Sequence, residues 1–325
     1  MKVIQTPLVF IPVYKDYIWG GNRITAAYGR TGTPPVCAES WEISAHPDGE
    51  SVVSSGPFEG RGLAELAREY GRSLLGTRAP DPARFPLLFK LIDARDRLSV
   101  QVHPNNENAQ HTGGEPKTEM WVVLDRTPGA SLYAGLTESA SPAALRAALA
   151  DGTAAEQLVQ LEVEPGQALF IPGGLVHAIG AGCLIYEVQQ SSNTTYRLFD
   201  WARTGADGQP RPLHIEESFK TIDWSLPAPQ MLDPAPRESD DGNLWSDMVS
   251  CDFFTLRKLD LEAPLRVTLD RSSFHALFVT AGRLTVTAGN ESHALAAGSS
   301  ALIPASATGY TLNPEQDSTV LITTL

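Results

Sequence analysis

The sequence predicts a mainly β protein, a sandwich or barrel with a small helical insertion. Short apolar and β-branched runs recur along the chain, turns bearing Gly or Pro separate them, and helical periodicity is confined to a few segments. The clearest expected strands are 98–103, 120–124, 169–172, 184–189, 276–280, 284–287 and 319–324. Gly180-Ala181-Gly182 and Ala288-Gly289-Asn290 supply turns between them. In 62–75, Leu63, Leu66, Ala67, Tyr70 and Leu74 fall at helical spacing. Ser141-Pro142 reads as an N-cap followed by a first-turn proline, with Gly152 as the stop. Residues 153–158 add another turn or two, so the insertion covers about 62–75 and 141–158. A further short helix is expected over 215–221.

With 325 residues the chain can form one large domain or two ordinary ones. Its 25 basic and 38 acidic side chains give a formal net charge of −13. Such a field repels phosphodiester backbones and anionic lipid, which argues against nucleic acid and membrane as partners. A small anionic substrate remains compatible, because a local basic pocket overrides the mean. No apolar run approaches the roughly 20 residues of a membrane span. Pro7, Pro12, Lys15 and Asp16 interrupt the N-terminal apolar stretch and no small-residue cleavage site follows, so it reads as mature protein. Cys37, Cys183 and Cys251 are odd in number and far apart, which suggests reduced thiols in a cytoplasm. The expected assembly is a monomer or weak homodimer.

An internal echo refines the fold. Gly166-Gln167-Ala168-Leu169-Phe170-Ile171-Pro172 resembles Gly298-Ser299-Ser300-Ala301-Leu302-Ile303-Pro304. The pattern of turn glycine, strand and proline resembles the second motif of a cupin, a small jelly-roll barrel. The first copy has His177 five residues after its proline, and the second has Gly309 at the matching place. The competing explanation is that G-x-x-x-x-I-P is common in β proteins. The reading adopted is two cupin-type jelly-roll barrels: 1–224 with the helical insertion, a Pro- and acid-rich linker over 225–245, and a barrel without metal ligands over 246–325.

Four segments hold the candidate chemistry. In an extended 98–103, Ser99, Gln101 and His103 share one face, with Leu98, Val100 and Val102 on the other. Three polar side chains on one face call for a wet or metal-filled cavity, unless the strand is an edge facing solvent. Lys117 and Glu119 share a face beside the apolar run 120–124; the alternative is a surface ion pair. His177 lies between apolar neighbours, either as a core histidine or as a metal ligand beside His103 and Glu119. Two imidazoles and a carboxylate leave an open position, and a glutamine oxygen would be a weak fourth ligand. This set suits zinc, with iron and manganese also compatible. In 184–201, Glu187 and Gln189 share a face and Arg197 follows the polar turn 191–195, on what the spacing predicts is the next strand of a hairpin. There it either clamps a phosphate or oxyanion, or pairs with Asp200 at the surface.

Together FPLLFKLIDARDRLSVQVHP, GEPKTEMW, FIPGGLVHAIG and EVQQSSNTTYRLFDW, in this order, resemble the type I mannose-6-phosphate isomerase (phosphomannose isomerase) family. Trp19-Gly20-Gly21 and Ala38-Glu39-Ser40-Trp41-Glu42-Ile43-Ser44 are similar to that family as well. The resemblance runs from about residue 14 to 224, and the remainder looks like the family's small C-terminal cupin barrel. It implies a zinc enzyme, one ion per chain, that interconverts mannose 6-phosphate and fructose 6-phosphate through an enediolate. By motif it implies His103, Glu119, His177 and Gln101 as metal ligands, Lys90, Ser99 and Arg197 as substrate-binding residues, and Lys117 and Glu187 in the pocket, where Lys117 would supply positive charge to the enediolate and Glu187 would shuttle the proton as catalytic residues. Arg197 matches the arginine given a catalytic role. Gly173-Gly174-Leu175 and Asn193 depart from the family pattern of Ala-Gly-Thr and Asp. The competing functions are a metal-dependent cupin oxygenase and a non-catalytic sugar-phosphate-binding cupin.

Overall fold

The computed structural model describes residues 2–205 and 208–325, which form two compact units. One unit comprises Tyr14–Ser40 and Lys90–Leu232. The other takes the chain up to Val13, Trp41–Phe89 and Asp233–Leu325.

The first unit is a sandwich of antiparallel strands. Its five-stranded sheet runs Leu158–Glu162, Ser131–Leu136, His177–Ile179, Val100–Val102, Tyr196–Phe199. The facing sheet is ordered Ala168–Ile171, Glu119–Arg126, Cys183–Gln190, Leu87–Ala94 and continues through Glu39–His46 to Val13–Lys15. Trp121, Val123, Leu169 and Ile185 from the latter are buried against Leu132, Ala134 and Ile179 from the former. On the outer face of the five-stranded sheet, Val100, Val102, Ala178 and Leu198 pack with Leu145 of the helix Pro142–Asp151 and Phe219 of Ile215–Thr221. Burial on that side turns Ser99, Gln101 and His103 inward, as the two-residue period requires. Leu98 departs from the expected alternation: it precedes the first strand residue and packs in the inner core.

The second unit carries a ten-stranded sheet whose main path is Arg237–Glu238, Leu244–Ser250, Thr255–Leu261, Gly309–Thr324, His275–Ala288, Ser300–Ile303, Leu8–Ile11, Val52–Val53. The separately expected strands 276–280 and 284–287 are one strand, His275–Ala288. Register shifts around Gly282 bend it without ending it. Leu259, Leu277, Val286, Leu312 and Val320 are among its buried core.

The mainly β class and cupin architecture hold, but among the described residues the jelly rolls are open: three sheets, no ladder closing a ring, and in the first unit side chains rather than hydrogen bonds join the two faces. The helical segment 62–75 lies in the second unit, as Leu63–Tyr70 and Arg72–Leu75, because Gly71 at φ +52° leaves the helical region. Ser141 Oγ accepts the Ala144 N–H at 3.1 Å and Gly152 is left-handed, so the second helix begins and ends as its sequence signals require. Short helices at Arg23–Tyr28 and Ala109–Thr112 had no periodic signal.

The echo is structural. Gly166 and Gly298 both have positive φ and precede Ala168–Ile171 and Ser300–Ile303. His177 then opens the strand His177–Ile179, and Gly309 opens Gly309–Thr324. A Cβ at Gly309 would lie 2.5 Å from the Val267 carbonyl oxygen, so no histidine fits there without moving backbone. The three cysteines are free thiols. Among the described residues, no helix is long and apolar enough to cross a membrane.

Candidate active site

Four inner strands bring the polar residues together. Gln101 lies opposite both His177 and Arg197 in the five-stranded sheet, and cross-strand partners share a face. In the facing sheet Glu119 is opposite Gln189, and Trp121 is opposite Glu187. All of these side chains turn into the sandwich.

At the bottom are His103, Glu119 and His177, fully buried, with one ligand-type atom each within 4.8 Å of the others. His177 Nε2 is 3.3 Å and His103 Nε2 3.7 Å from Glu119 oxygens. The other ring nitrogens are fixed by backbone carbonyls: His103 Nδ1 at 2.8 Å from Thr194 O, His177 Nδ1 at 2.9 Å from Leu175 O. A carbonyl only accepts, so each Nδ1 carries the hydrogen and each Nε2 turns a lone pair toward the carboxylate. Burial drives His103 well below its ordinary value and His177 down to about 4, with Lys117 adding to both shifts. Both imidazoles are therefore neutral, the ligating form. Both Glu119 oxygens are buried: Oε2 is paired with Lys117 and Oε1 has no hydrogen-bond partner, while burial, opposed by Lys117, raises this carboxyl to about 8. Lone pairs facing a buried carboxylate with one unbonded oxygen are what a divalent cation would neutralise, so these residues fit one.

Lys117 and Gln101 stand between this cluster and a cavity of about 290 Å³. Lys117 Nζ is 2.8 Å from Glu119 Oε2 and 3.1 Å from His103 Nε2, so the pair expected from their spacing is buried, not superficial. The Gln101 amide nitrogen is 3.3 Å from His177 Nε2, and its oxygen accepts from Ser99 Oγ at 3.2 Å. Turning the amide over would present oxygen to the cluster.

The cavity also meets Lys90, Ser99, Glu187 and Arg197, all expected from sequence. Lys90 Nζ is 3.4 Å from Glu187 Oε1 and 3.6 Å from Glu39 Oε2. Burial works against its charge, but Glu39 and Glu187 outweigh it and hold Lys90 above the usual lysine value. Burial likewise works to raise Glu187, while Lys117, Lys90 and the Trp121 N–H, 2.8 Å from Oε2, hold it below the usual carboxylate range. Beyond its ion pair with Lys90, Glu187 Oε1 has no hydrogen-bond partner.

Arg197 reaches the cavity by a route different from the expected hairpin. Its strand pairs with Val100–Val102 in the opposite sheet from Glu187, because residues 191–195 carry the chain across the sandwich. Its Nε donates to Ser99 Oγ at 3.2 Å and its Nη1 to Pro212 O at 2.8 Å. Asp200 is bound instead by Arg203 and Arg211, so the surface-pair explanation of Arg197 fails.

Sequence reasoning missed Glu39, Trp121 and Arg211 as cavity residues. Trp121 continues the alternation Lys117, Glu119, which was the available signal. Glu39 stood inside a quoted family motif. Arg211 lies outside any strand and carried no periodic signal. Burial works to raise Asp200, but hydrogen bonds from Arg211 and Arg203 lower it below its unfolded value. The stability it adds is therefore fully present above about pH 4 and lost as pH falls through the lower folded value. Asp200→Asn is expected to flatten the acid limb of the stability–pH curve below about pH 4, measured by urea unfolding; an unchanged limb would show that the ion pairs contribute nothing.

The fold and the site together define a cupin-class enzyme. Residues 8–124 match the profile of the phosphomannose isomerase type I catalytic domain, and residues 246–320 that of the mannose-6-phosphate isomerase cupin domain. The mannose-6-phosphate isomerase of Streptococcus mutans is 38% identical over 291 residues, covering 88% of this chain and 89% of that one. Mannose-6-phosphate isomerase ManA of Bacillus subtilis is 39% identical over 257 residues, 78% of this chain and 79% of its own. The crystal structure of the Bacillus subtilis mannose 6-phosphate isomerase superposes with a TM-score of 0.88 at 29% identity, covering 98% and 99% of the two chains. The chain belongs to the type I phosphomannose isomerase family.

Proposed function

We propose that this isomerase interconverts mannose 6-phosphate and fructose 6-phosphate through an enediolate, with one zinc ion held by His103, Glu119 and His177. The observation that carries the reading is the buried Glu119 carboxylate, its Oε1 unbonded, facing two imidazole lone pairs beneath a cavity lined by cations. A divalent ion there supplies a Lewis acid for the sugar oxygens.

The protein's own groups do the rest. Lys117 and Arg197 place positive charge where the enediolate oxygens develop. Glu187 moves the proton between C2 and C1 through Oε1, whose partner is the Lys90 ammonium at 3.4 Å, while Trp121 holds Oε2. Lys90 keeps Glu187 ionised and, with Ser99, contacts the sugar. Arg211 joins Arg197 in balancing the phosphate dianion, which reconciles an acidic protein with an anionic substrate. The second barrel serves without a metal, since Gly309 replaces a ligand position.

The test is a coupled assay for fructose 6-phosphate formed from mannose 6-phosphate, with and without chelator. Turnover should vanish on chelation and return with added zinc. Absence of turnover in the zinc-loaded enzyme overturns the reading, and oxygen uptake by an iron-loaded form favours an oxygenase.

A further inference from the structure

The second unit contains its own cavity, of about 530 Å³, unrelated to the residues discussed above. That volume lies in the range of roughly 300–1,000 Å³ typical of small-molecule sites. Arg257 lies opposite Ile322 and Val267 lies opposite Tyr310. Ile322 and Tyr310 belong to the buried core of this unit, and cross-strand partners share a face, so Arg257 is on the inner face. It stands at the rim of that face, its side chain 44% exposed, with its guanidinium carbon 4.1 Å from the centre of the Trp245 ring and its Nε 3.1 Å from Asp247; Arg78 and Arg266 are exposed as well. Arg78 and Arg266 line the same cavity. Among the described residues their side chains have no hydrogen-bond or carboxylate partner. At the base, His275 Nδ1 is 3.0 Å from the Tyr310 hydroxyl. Thr255 and Thr324, opposite one another, add two hydroxyls.

We infer that this cavity binds a small phosphorylated sugar, its phosphate held by Arg78, Arg257 and Arg266 and its hydroxyls by His275, Tyr310 and the threonines. Three guanidiniums against two carboxylates, Asp247 beside Arg257 and Asp270 near His275, leave an excess of positive charge in an acidic protein, and planar guanidinium forks match phosphate oxygens. Leu265, Val267 and Ile322 give the sugar ring an apolar wall. Burial holds His275 down to about 4, so it is neutral and serves as a hydrogen-bonding group. A metal is not the occupant. Among the described residues the only convergent metal-type cluster is His103, Glu119 and His177, and Gly309 has no room for a ligand. The repeated fold thus keeps a binding cavity in both copies, open to solvent in the second, with cations at its mouth doing there what ligating side chains do in the first.

The experiment is calorimetric titration of the full chain with fructose 6-phosphate and, separately, inorganic phosphate. The wild type should take up two equivalents of fructose 6-phosphate. R78Q/R266Q should weaken one of them by about tenfold or more per lost guanidinium contact, with isomerase kcat and KM and the melting temperature unchanged. R197A should weaken only the other. A single equivalent in the wild type, or two equivalents unaltered in R78Q/R266Q, would overturn the inference. Inorganic phosphate binding the second site as tightly as fructose 6-phosphate would overturn the sugar assignment. Failure of the isomerase assay alone leaves the binding result readable, so the two readings fail separately.

Discussion

His177→Ala is expected to release the divalent ion and abolish nearly all turnover. His177 is fully buried, with its Nδ1 tied to Leu175 O and its Nε2 3.3 Å from Glu119. Removing it leaves one imidazole and one carboxylate, too few ligands for a closed coordination sphere. Loss of an outer partner of a ligand already costs about 10–100-fold in metal affinity, so loss of the ligand itself should exceed the upper figure. Elemental analysis should find roughly one ion per wild-type chain and far less in the variant, and His103→Ala should behave alike. Full metal content in both variants would place the ion elsewhere. Circular dichroism separates metal loss from unfolding, because the strands around His177 are packed by Val176 and Ala178 on the far side, which the substitution leaves in place.

Arg197→Ala is expected to lower kcat by on the order of 10²–10³ while the metal stays bound. The guanidinium is held by Ser99 Oγ and Pro212 O and makes no salt bridge with Asp200, so its charge is directed to the cavity. A rise in KM with kcat unchanged would assign it to the phosphate alone. Changes below about twofold in both constants would remove it from the site, since an exposed, unengaged arginine contributes little.

The two-residue period made much of the site legible. Ser99, Gln101 and His103, then Lys117 and Glu119, then Glu187 and Gln189 each share a face because successive strand side chains alternate. In each set the polar face was the unusual one. The helix at Pro142–Asp151 was readable for a similar reason: its cap and its stop are local chemistry. Where the reading went astray, the cause was non-local. Arg197 lines the cavity but was given the wrong neighbour, since nothing in 191–195 says that the chain changes sheets there. The bend at Gly282 looked like a strand end, because a bulge and a turn use the same residue.

By itself, then, the chain determined its mainly β class, its paired glycine–strand–proline repeats and the residues able to ligate a metal. These follow from alternation, turn chemistry and side-chain type, all of which act within a few residues. Only the tertiary structure decided that Glu119 from one sheet meets His103 and His177 from the other, and that Trp121 and Lys90 grip Glu187. It also decided that Arg211, from an irregular segment, lines the same cavity. Those contacts join residues tens of positions apart. They are set by the burial of two apolar sheet faces against each other, which brings inward polar groups together whatever their separation along the chain.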